Sequence, residues 1–197
     1  MNSSFTSAKP ATAVPVQDFV HGLRRLKERD FAGVHGTLAY LRATPVDPES
    51  LQQYLFWDKQ HYTRNLIDKT DLYELLAICW EVGMKSSIHN HRGQNCWMAA
   101  PIGRLAVHNY QVLDEDLGAH RCKILPTDVL EITATSPVAV DPENPVHDVR
   151  NPREWNQRAV SLHVYSRPFN SCVVYSCEQE TCGEIELHYT SMYGKLV

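Results

Sequence analysis

The chain has 197 residues, enough for one domain with a hydrophobic core that needs no disulfide or metal to fold. Its formal net charge is −4 and the charged residues are scattered, so neither nucleic acid nor an anionic membrane is a predicted partner. No apolar run approaches the roughly 18 to 20 residues of a membrane span, and the polar start lacks the apolar stretch of a signal peptide. We therefore expect a cytoplasmic protein that binds a small molecule, with its six cysteines mostly reduced.

The first third of the chain predicts a tail followed by helices. Residues 1–14 are rich in Ser, Thr, Ala and Pro, which is typical of a flexible tail. In residues 15–60, apolar side chains recur at helical spacing over 16–27 and again over 31–41. Asp47 then precedes a proline, a common helix start. This part of the chain therefore predicts about three short helices.

Residues 61–197 predict a β-barrel within a single domain that spans 15–197. Short segments rich in apolar and β-branched residues alternate with Gly, Pro, Asn and Asp, as in all-β sandwiches and barrels. The helices are too few to alternate with these strands, so a doubly wound α/β fold is disfavoured. The predicted strands are Glu74–Trp80, Leu105–Gln111, Val129–Thr133, Val160–Tyr165 and Ser171–Tyr175.

The pair His89 and His91 is the first indication of a metal site. In an extended strand, residues two apart point to the same face, so both imidazoles can reach one ion. Such a pair is weak evidence alone, because paired surface histidines are common. The surrounding residues decide between these readings.

The surrounding spacing resembles the first motif of the cupin superfamily. Gly83 is followed after five residues by His89, after one by His91, after four by Cys96, and after six by Gly103. Cupins commonly carry a glutamate ligand at the position of Cys96. The resemblance implies a jelly-roll-like β-barrel in which the two histidines hold a metal.

A second cupin-like motif runs from Pro142 to Asn151, with Asn144 where glycine is usual. In cupins this motif carries the third histidine ligand, which implies His147 as the partner of the first pair. Three neutral imidazoles leave a divalent ion with its full charge and open positions, which suits an anionic substrate. The ligand set does not by itself choose iron, because three histidines also hold catalytic zinc.

Further segments resemble the cysteine dioxygenase family, in order and in spacing, from about Tyr62 to Phe169. The resemblance implies that three histidines hold Fe(II) and that L-cysteine binds the iron through its thiolate and amine, with O2 at a remaining position. Both oxygen atoms would go to sulfur, which gives cysteine sulfinate. The matching segments are Tyr62–Leu66, Cys79–Trp80, Ser86–His91, Cys96 and Ser161–Ser166.

The same resemblance implies roles for five further residues. Arg64, with Tyr62 two residues before it, corresponds to the family's clamp for the substrate carboxylate, and a guanidinium matches a carboxylate bidentately. Ser161, His163 and Tyr165 alternate on one strand face and correspond to a hydrogen-bonded row that orients the tyrosine near the iron. On spacing alone they would be an ordinary strand with a polar inner face.

Two positions bear on how the site is tuned. Cys96 matches the cysteine that some family members join to the tyrosine at the position of Tyr165, so we expect that thioether to form with iron, O2 and turnover. Arg167 stands where family members resembling the mammalian enzymes tend to have proline. We expect it to place a second cation near the pocket and adjust substrate choice.

Several alternatives stay open. Within the same chemistry, the runner-up is a dioxygenase of 3-mercaptopropionate or another small thiol, a relative that lacks the arginine clamp. From another class, the chain would be a non-catalytic metal-binding cupin, or a zinc-dependent hydrolase or isomerase. A barrel of this size can bury its site within one chain, so we expect a monomer.

Overall fold

The computed structural model describes residues 12–197. None of the helices in that range is long and apolar enough to cross a bilayer. The helices are α1 Val16–Leu23, α2 Glu28–Ala32 and α3 Val34–Ala43, with 3-10 helices at Pro48–Tyr54 and Arg153–Trp155. The strands are β1 Thr63–Lys69, β2 Glu74–Trp80, β3 Ile88–His89, β4 Asn95–Ile102, β5 Leu105–Asp116, β6 Arg121–Ile132, β7 Val138–Ala139, β8 Val146–Arg150, β9 Ala159–Ser166, β10 Ser171–Ser176, β11 Thr181–Glu186, β12 Ser191–Met192 and β13 Lys195–Leu196.

The predicted tail lies mostly outside the described residues. Its last residue, Val14, forms a parallel bridge with Val46, and its amide donates to the carbonyl of Pro45 at 2.9 Å. Val14 therefore belongs to the folded part of the chain.

The helical segments are shorter and more broken than the periodicity predicts. α1 ends at Leu23, and the second predicted helix is divided at Gly33, whose extended backbone ends α2 and starts α3. The third is a 3-10 helix, and Asp47 caps it by accepting a hydrogen bond from the amide of Glu49 at 3.2 Å. Apolar spacing predicted the buried face of each segment but not where the helices break.

The strands form a seven-stranded sheet, in the order β13-β12-β1-β2-β9-β4-β7, and a closed ring, β10-β11-β6-β5-β8-β3. All five predicted strands are present, although β5 and β6 are longer than expected because they form one hairpin of two 12-residue strands. The mainly β architecture predicted for residues 61–197 is confirmed.

The two faces of the seven-stranded sheet bury different sets of residues. On β2, Leu75 and Ala77 pack outward against the helices, while Leu76 and Ile78 point into the barrel. On the inner face, β2 and its neighbour β9 pair in register, so that Ser161 lies opposite Ile78. This alternation turns one side of β9 into the wall of an internal site.

A tight turn carries the chain between the two sheets at the predicted histidine pair. Arg92 and Gly93 have φ of +54° and +78°, a left-handed conformation that glycine adopts freely. The amide of Gln94 donates to the carbonyl of His91 at 3.0 Å and closes the turn. The chain then enters β4, which brings Cys96 next to β9.

Candidate active site

The three predicted ligands meet inside the barrel. His89 on β3 is the register partner of His147 on β8, although 58 residues separate them in the chain (147 minus 89). β3 ends at His89, so His91 lies just beyond the strand, yet its ring still faces the other two. Their ligand nitrogens all lie within 4.8 Å of one another, and the structure contains no other such cluster of three or more in residues 12–197.

Backbone carbonyls orient two of these imidazoles. Nδ1 of His89 lies 2.9 Å from the carbonyl of Ser87, and Nδ1 of His147 lies 3.3 Å from that of Pro145. A carbonyl only accepts, so both Nδ1 atoms carry the proton and both Nε2 lone pairs are free to bind an ion. This is the usual second contact of a metal-binding histidine.

The nitrogen atoms that face the centre are buried without partners. Nε2 of His147 and both ring nitrogens of His91 have no hydrogen bond, although both residues are almost completely buried. Burial lowers the pKa of both imidazoles well below the usual value, and repulsion between neighbouring histidines lowers it further. Neutral imidazoles with orphaned lone pairs fit a divalent transition metal.

A narrow cavity opens onto two of the histidines, His89 and His91. Arg64 and Tyr62 line it as predicted, and Tyr165 lies at its inner end near His91, with ring centroids 5.1 Å apart. The cavity thus combines the metal-facing imidazoles with a cation and a phenol.

Arg64 is held at the start of β1, and its Nε is buried without a hydrogen-bond partner. Tyr62 lies just before that strand and stacks on Trp80, with centroids 4.8 Å apart. The unpaired guanidinium nitrogen is available to an anionic group in the cavity. No carboxylate within residues 12–197 forms an ion pair with Arg64.

The predicted row on β9 is continuous. His163 lies 2.8 Å from the hydroxyl of Ser161 through Nε2 and 2.9 Å from that of Tyr165 through Nδ1. Burial lowers the pKa of His163 to about 3, with nearby Arg64 contributing, so the imidazole is neutral. A neutral imidazole carries one proton, and its position depends on Ser161.

Trp80 determines which way that row is polarised. Its indole N–H donates to Ser161 Oγ at 2.9 Å and cannot accept a hydrogen bond. Ser161 has no other acceptor among the described residues, so its own hydrogen goes to Nε2 of His163, which leaves the imidazole proton on Nδ1, facing Tyr165. Tyr165 accepts that bond, and its own O–H hydrogen is free for the cavity.

Cys96 lies directly opposite Tyr165 on the neighbouring strand β4. Both side chains are buried, and burial raises the pKa of the Cys96 thiol and the Tyr165 phenol well above their usual values. The two groups are therefore uncharged neighbours on the inner face.

The expectation for Arg167 is wrong. Its guanidinium points to the outer surface and donates to Glu28 at 2.8 Å, in an open cleft of about 520 Å³. It is not among the residues that line the inner cavity. β9 ends at Ser166, so alternation no longer directs the next side chain inward.

Several residues of the site escaped the sequence analysis. Phe169 packs edge-on against Tyr165, with centroids 5.0 Å apart, and Cys172, Ile185 and Leu187 line the cavity wall. Alternation along β11 would have placed Ile185 and Leu187 on one face, but not facing this cavity. Trp80 lay in a recognised segment, yet only tertiary contacts show its role as a donor.

Comparisons with known proteins agree with this geometry. A family model described as cysteine dioxygenase type I matches residues 1–178. Cysteine dioxygenase type 1 of Danio rerio is 25% identical over 188 residues, which cover 95% of this chain and 90% of the relative. The human protein of that name is 26% identical over 187 residues, covering 94% and 90%.

Solved structures resemble the chain more distantly. A conserved protein with a double-stranded β-helix domain from Klebsiella pneumoniae is 14% identical, with a TM-score of 0.38, over 59% of this chain and 81% of that one. The strand order shows the predicted mainly β barrel, and the family model confirms the predicted family. The chain belongs to the cysteine dioxygenase type I family and is therefore an oxidoreductase of the dioxygenase class.

Proposed function

We propose that this protein is an Fe(II)-dependent cysteine dioxygenase that converts L-cysteine and O2 to cysteine sulfinate. The observation that carries the proposal is one cavity in which metal-facing imidazoles, an unpaired guanidinium and a phenol converge. That combination suits a small substrate with a soft donor at one end and a carboxylate at the other. Free cysteine has both groups.

Arg64 is the proposed carboxylate site. Its buried Nε lacks a partner, so an incoming carboxylate would replace lost hydration with a charge-assisted hydrogen bond. Tyr62 would contribute its hydroxyl beside it, because burial raises the pKa of this phenol and keeps it a donor. A carboxylate held there leaves the other end of cysteine directed along the cavity toward His89 and His91.

His89, His91 and His147 are the proposed iron ligands. The bound Fe(II) would supply the electron transfer to O2 that zinc cannot provide, and would bind the substrate thiolate as a soft anion. The three neutral histidines leave the ion's charge unreduced, which favours an anionic substrate. The carbonyls of Ser87 and Pro145 would keep two of the ligand rings aligned.

The row of Ser161, His163 and Tyr165 on β9 is proposed to keep a proton on the Tyr165 hydroxyl, at the end of the cavity where O2 would react. His163 is neutral and donates from Nδ1, so Tyr165 keeps its own hydrogen available for the reacting sulfur and oxygen atoms. Phe169 covers the edge of that phenol and limits access of water.

We also propose that the thioether between Cys96 and Tyr165 forms during turnover. A bond joins sulfur to a ring carbon while the S–H and C–H hydrogens leave with two electrons, which O2 accepts. Intact mass should therefore fall by about two hydrogens after turnover, and reductant should not reverse the change. Cys96→Ser is the matched variant and should show no such fall.

The deciding experiment is anaerobic reconstitution with Fe(II), followed by O2 uptake with L-cysteine and mass spectrometry of the product. Cysteine sulfinate at about one O2 per cysteine supports the proposal, since both oxygen atoms enter one product. His108→Ala, a half-buried histidine on β5 outside the cavity, serves as the control that should behave like wild type.

Other outcomes select the alternatives. Uptake with 3-mercaptopropionate but not with cysteine would keep the iron chemistry and overturn the substrate. Stoichiometric zinc in the purified protein and no thiol-dependent uptake would favour a metal-binding cupin or a zinc enzyme.

We further propose that the enzyme acts as a monomer in the cytosol. All residues of the proposed site come from one chain, and all six cysteines, which lie within the described residues, are free. Size-exclusion chromatography with light scattering tests the oligomeric state, and fractionation of the source cells tests the compartment.

A further inference from the structure

The joint between β6 and β11, meaning the pairing of these two strands, is among the shortest in the closed ring. Within the described residues, one register pair joins these strands, Arg121 with Thr181, whereas β5 and β6 pair along almost their whole length. Two backbone hydrogen bonds flank the pair, from Cys122 to Glu180 at 2.9 Å and from Cys182 to His120 at 3.2 Å. Each flanking donor is a cysteine.

The side chains of Cys122 and Cys182 each extend toward the opposite strand of the β6–β11 pair. The thiol of Cys122 reaches the carbonyl of Thr181 at 3.1 Å, and the thiol of Cys182 reaches that of Arg121 at 3.4 Å. Each sulfur therefore lies over the opposite strand, and the two side chains lie diagonally across the Arg121–Thr181 pair on the same face of the sheet. Both are buried in one apolar cluster, which includes Tyr110.

The remaining buried cysteines have other neighbours. Cys79 accepts a hydrogen bond from the amide of Asn65 at 3.6 Å, and Cys96 lies opposite Tyr165. Cys172 lines the inner cavity. Among the described residues, Cys122 and Cys182 are thus the two buried cysteines that share one apolar cluster and one strand pair.

The joint also affects the wall of the substrate cavity. β11 carries both Cys182, near its start, and Ile185, whose side chain lines the cavity. Leu187, the first residue after the strand, lines the cavity as well. Ile185 is the register partner of Cys172 on β10. Any bond that fastens the start of β11 to β6 therefore also restrains that wall.

We propose that Cys122 and Cys182 are a modification site: they form a reversible disulfide by exchange with a small organic disulfide, and this bond fastens β11 to β6. One protein thiolate attacks the small disulfide, forms a mixed disulfide and releases one thiol. The second protein thiolate then attacks the mixed disulfide and releases the other thiol. The two protein hydrogens end on the two released thiols, so the protein is oxidised and the small disulfide is reduced. Cystine is one such oxidant and would release two cysteines.

Access to the thiols comes from local opening. The joint lies beside two exposed turns, residues 117–120 and 177–180, at the ends of the β5–β6 and β10–β11 hairpins. Strand ends with few pairing partners open more readily than the core of a sheet. Burial, with the neighbouring Cys182 sulfur, raises the pKa of the Cys122 thiol to about 11, so the exchange is slow at neutral pH.

The first test maps the disulfide directly. The full-length protein is incubated with cystine at about pH 8.5, where more thiolate is present, free thiols are blocked with N-ethylmaleimide, and peptides are analysed by mass spectrometry. We expect a linked peptide containing Cys122 and Cys182, which dithiothreitol separates. Its reversal by reductant distinguishes it from the proposed thioether of Cys96.

Matched variants assign the link. Cys79→Ser removes a buried cysteine on another strand and should leave the linked peptide intact, whereas Cys122→Ser and Cys182→Ser should each abolish it. Absence of the link in wild type, or a reducible link that instead joins Cys177 or Cys172, would overturn the proposal.

The second test measures the consequence of the bond. A disulfide that closes a loop of about 60 residues should raise Tm by about 5–15 °C, and dithiothreitol should remove the increase. Amide hydrogen exchange over residues 182–187 should slow by at least about threefold in the oxidised protein. An oxidised protein with unchanged Tm and unchanged exchange would refute the fastening of β11.

Discussion

Two neighbouring residues of β8, His147 and Asp148, are both buried and polar, but their surroundings differ. Asp148 lies on the opposite face of β8 from His147 and accepts hydrogen bonds from the hydroxyl of Tyr110 at 2.7 Å and from Arg150 at 2.5 and 2.8 Å. His147 points into the barrel, where its Nε2 has no partner. Of two adjacent residues on one strand, Asp148 thus has hydrogen-bond partners for both carboxylate oxygens, whereas His147 has a buried nitrogen without a partner.

The difference distinguishes buried polar groups that stabilise the fold from buried polar groups that are available to a ligand. A buried polar atom without a hydrogen bond destabilises the fold, so its retention indicates a ligand that completes it. Nitrogen atoms of His91, His147 and Arg64 belong to this class and surround one site. The criterion is not sufficient alone, because Oδ1 of Asn151 is also unpaired while its amide nitrogen holds backbone carbonyls in a structural role.

The largest effect is expected for His147→Ala. Removal of one of three ligands should lower iron retention and cysteine-dependent O2 uptake by more than about 100-fold, while the metal-free Tm stays near that of wild type. Metal analysis, an oxygen electrode and thermal unfolding measure the three quantities, with His108→Ala as control. Wild-type iron content in His147→Ala would remove this residue from the ligand set.

Arg64→Ala should lower kcat/KM for cysteine by about 100-fold, which corresponds to about 2.7 kcal/mol for a lost charge-assisted hydrogen bond. Iron retention should not change, because Arg64 is proposed to contact the substrate rather than the metal. Steady-state kinetics with iron-loaded protein measure the effect. A variant with unchanged kcat/KM would place the carboxylate elsewhere in the cavity.

Asp148→Asn should lower stability but not iron content, the reverse of what is expected for His147→Ala. Asparagine keeps one acceptor oxygen, but its NH2 group replaces the other oxygen and faces a donor, and the charge that pairs with Arg150 is lost, so the free energy of unfolding should fall by about 2–3 kcal/mol. Iron content of the folded protein should stay at the wild-type value. Denaturant unfolding and metal analysis test both statements, and loss of iron without loss of stability would contradict the division drawn here.

Trp80→Phe keeps an aromatic ring against Tyr62 but removes the N–H that Ser161 accepts. The hydrogen positions of the β9 row would no longer be determined, and kcat should fall by about 3–10-fold with KM and iron content unchanged. Ser161→Ala removes the hydroxyl between Trp80 and His163 and should lower kcat by a similar factor. Wild-type kcat in both variants would show that the row does not orient Tyr165 for the reaction.

The smallest effect concerns the acid stability of the helical layer. Burial raises the pKa of Asp68, but hydrogen bonds from Arg24 and Tyr73 outweigh it and hold the pKa below its usual value. A carboxyl whose pKa is lowered in the folded state contributes stability above its unfolded value of about 3.9, and the contribution disappears as pH falls through the folded value. Asp68→Asn should therefore lower Tm at neutral pH by a few degrees, with the difference from wild type narrowing below about pH 4.

Apolar and β-branched composition between turn residues sufficed for the main barrel strands. Glu74–Trp80 and Val160–Tyr165 are buried on both faces, so their side chains form nearly continuous apolar runs, and the strands lie where those runs predict them. The residues of the proposed site were predicted from motif spacing and family resemblance, which depend only on the order of residues along the chain. Helix boundaries did not follow, since Gly33 divides a continuous apolar pattern and the segment after Asp47 winds as a 3-10 helix.

The sequence by itself determined the fold class, the family and the polar residues proposed for the site. Tertiary structure alone decided the apolar cavity wall and three further matters: that Arg167 turns outward to Glu28, that Trp80 donates into the β9 row, and that Cys122 and Cys182 lie on one face of the short β6–β11 pairing. The reason is physical. Local patterns determine which face of an element a side chain occupies, but hydrogen-bond partners come from distant segments, and only the packing of the strands brings those segments together.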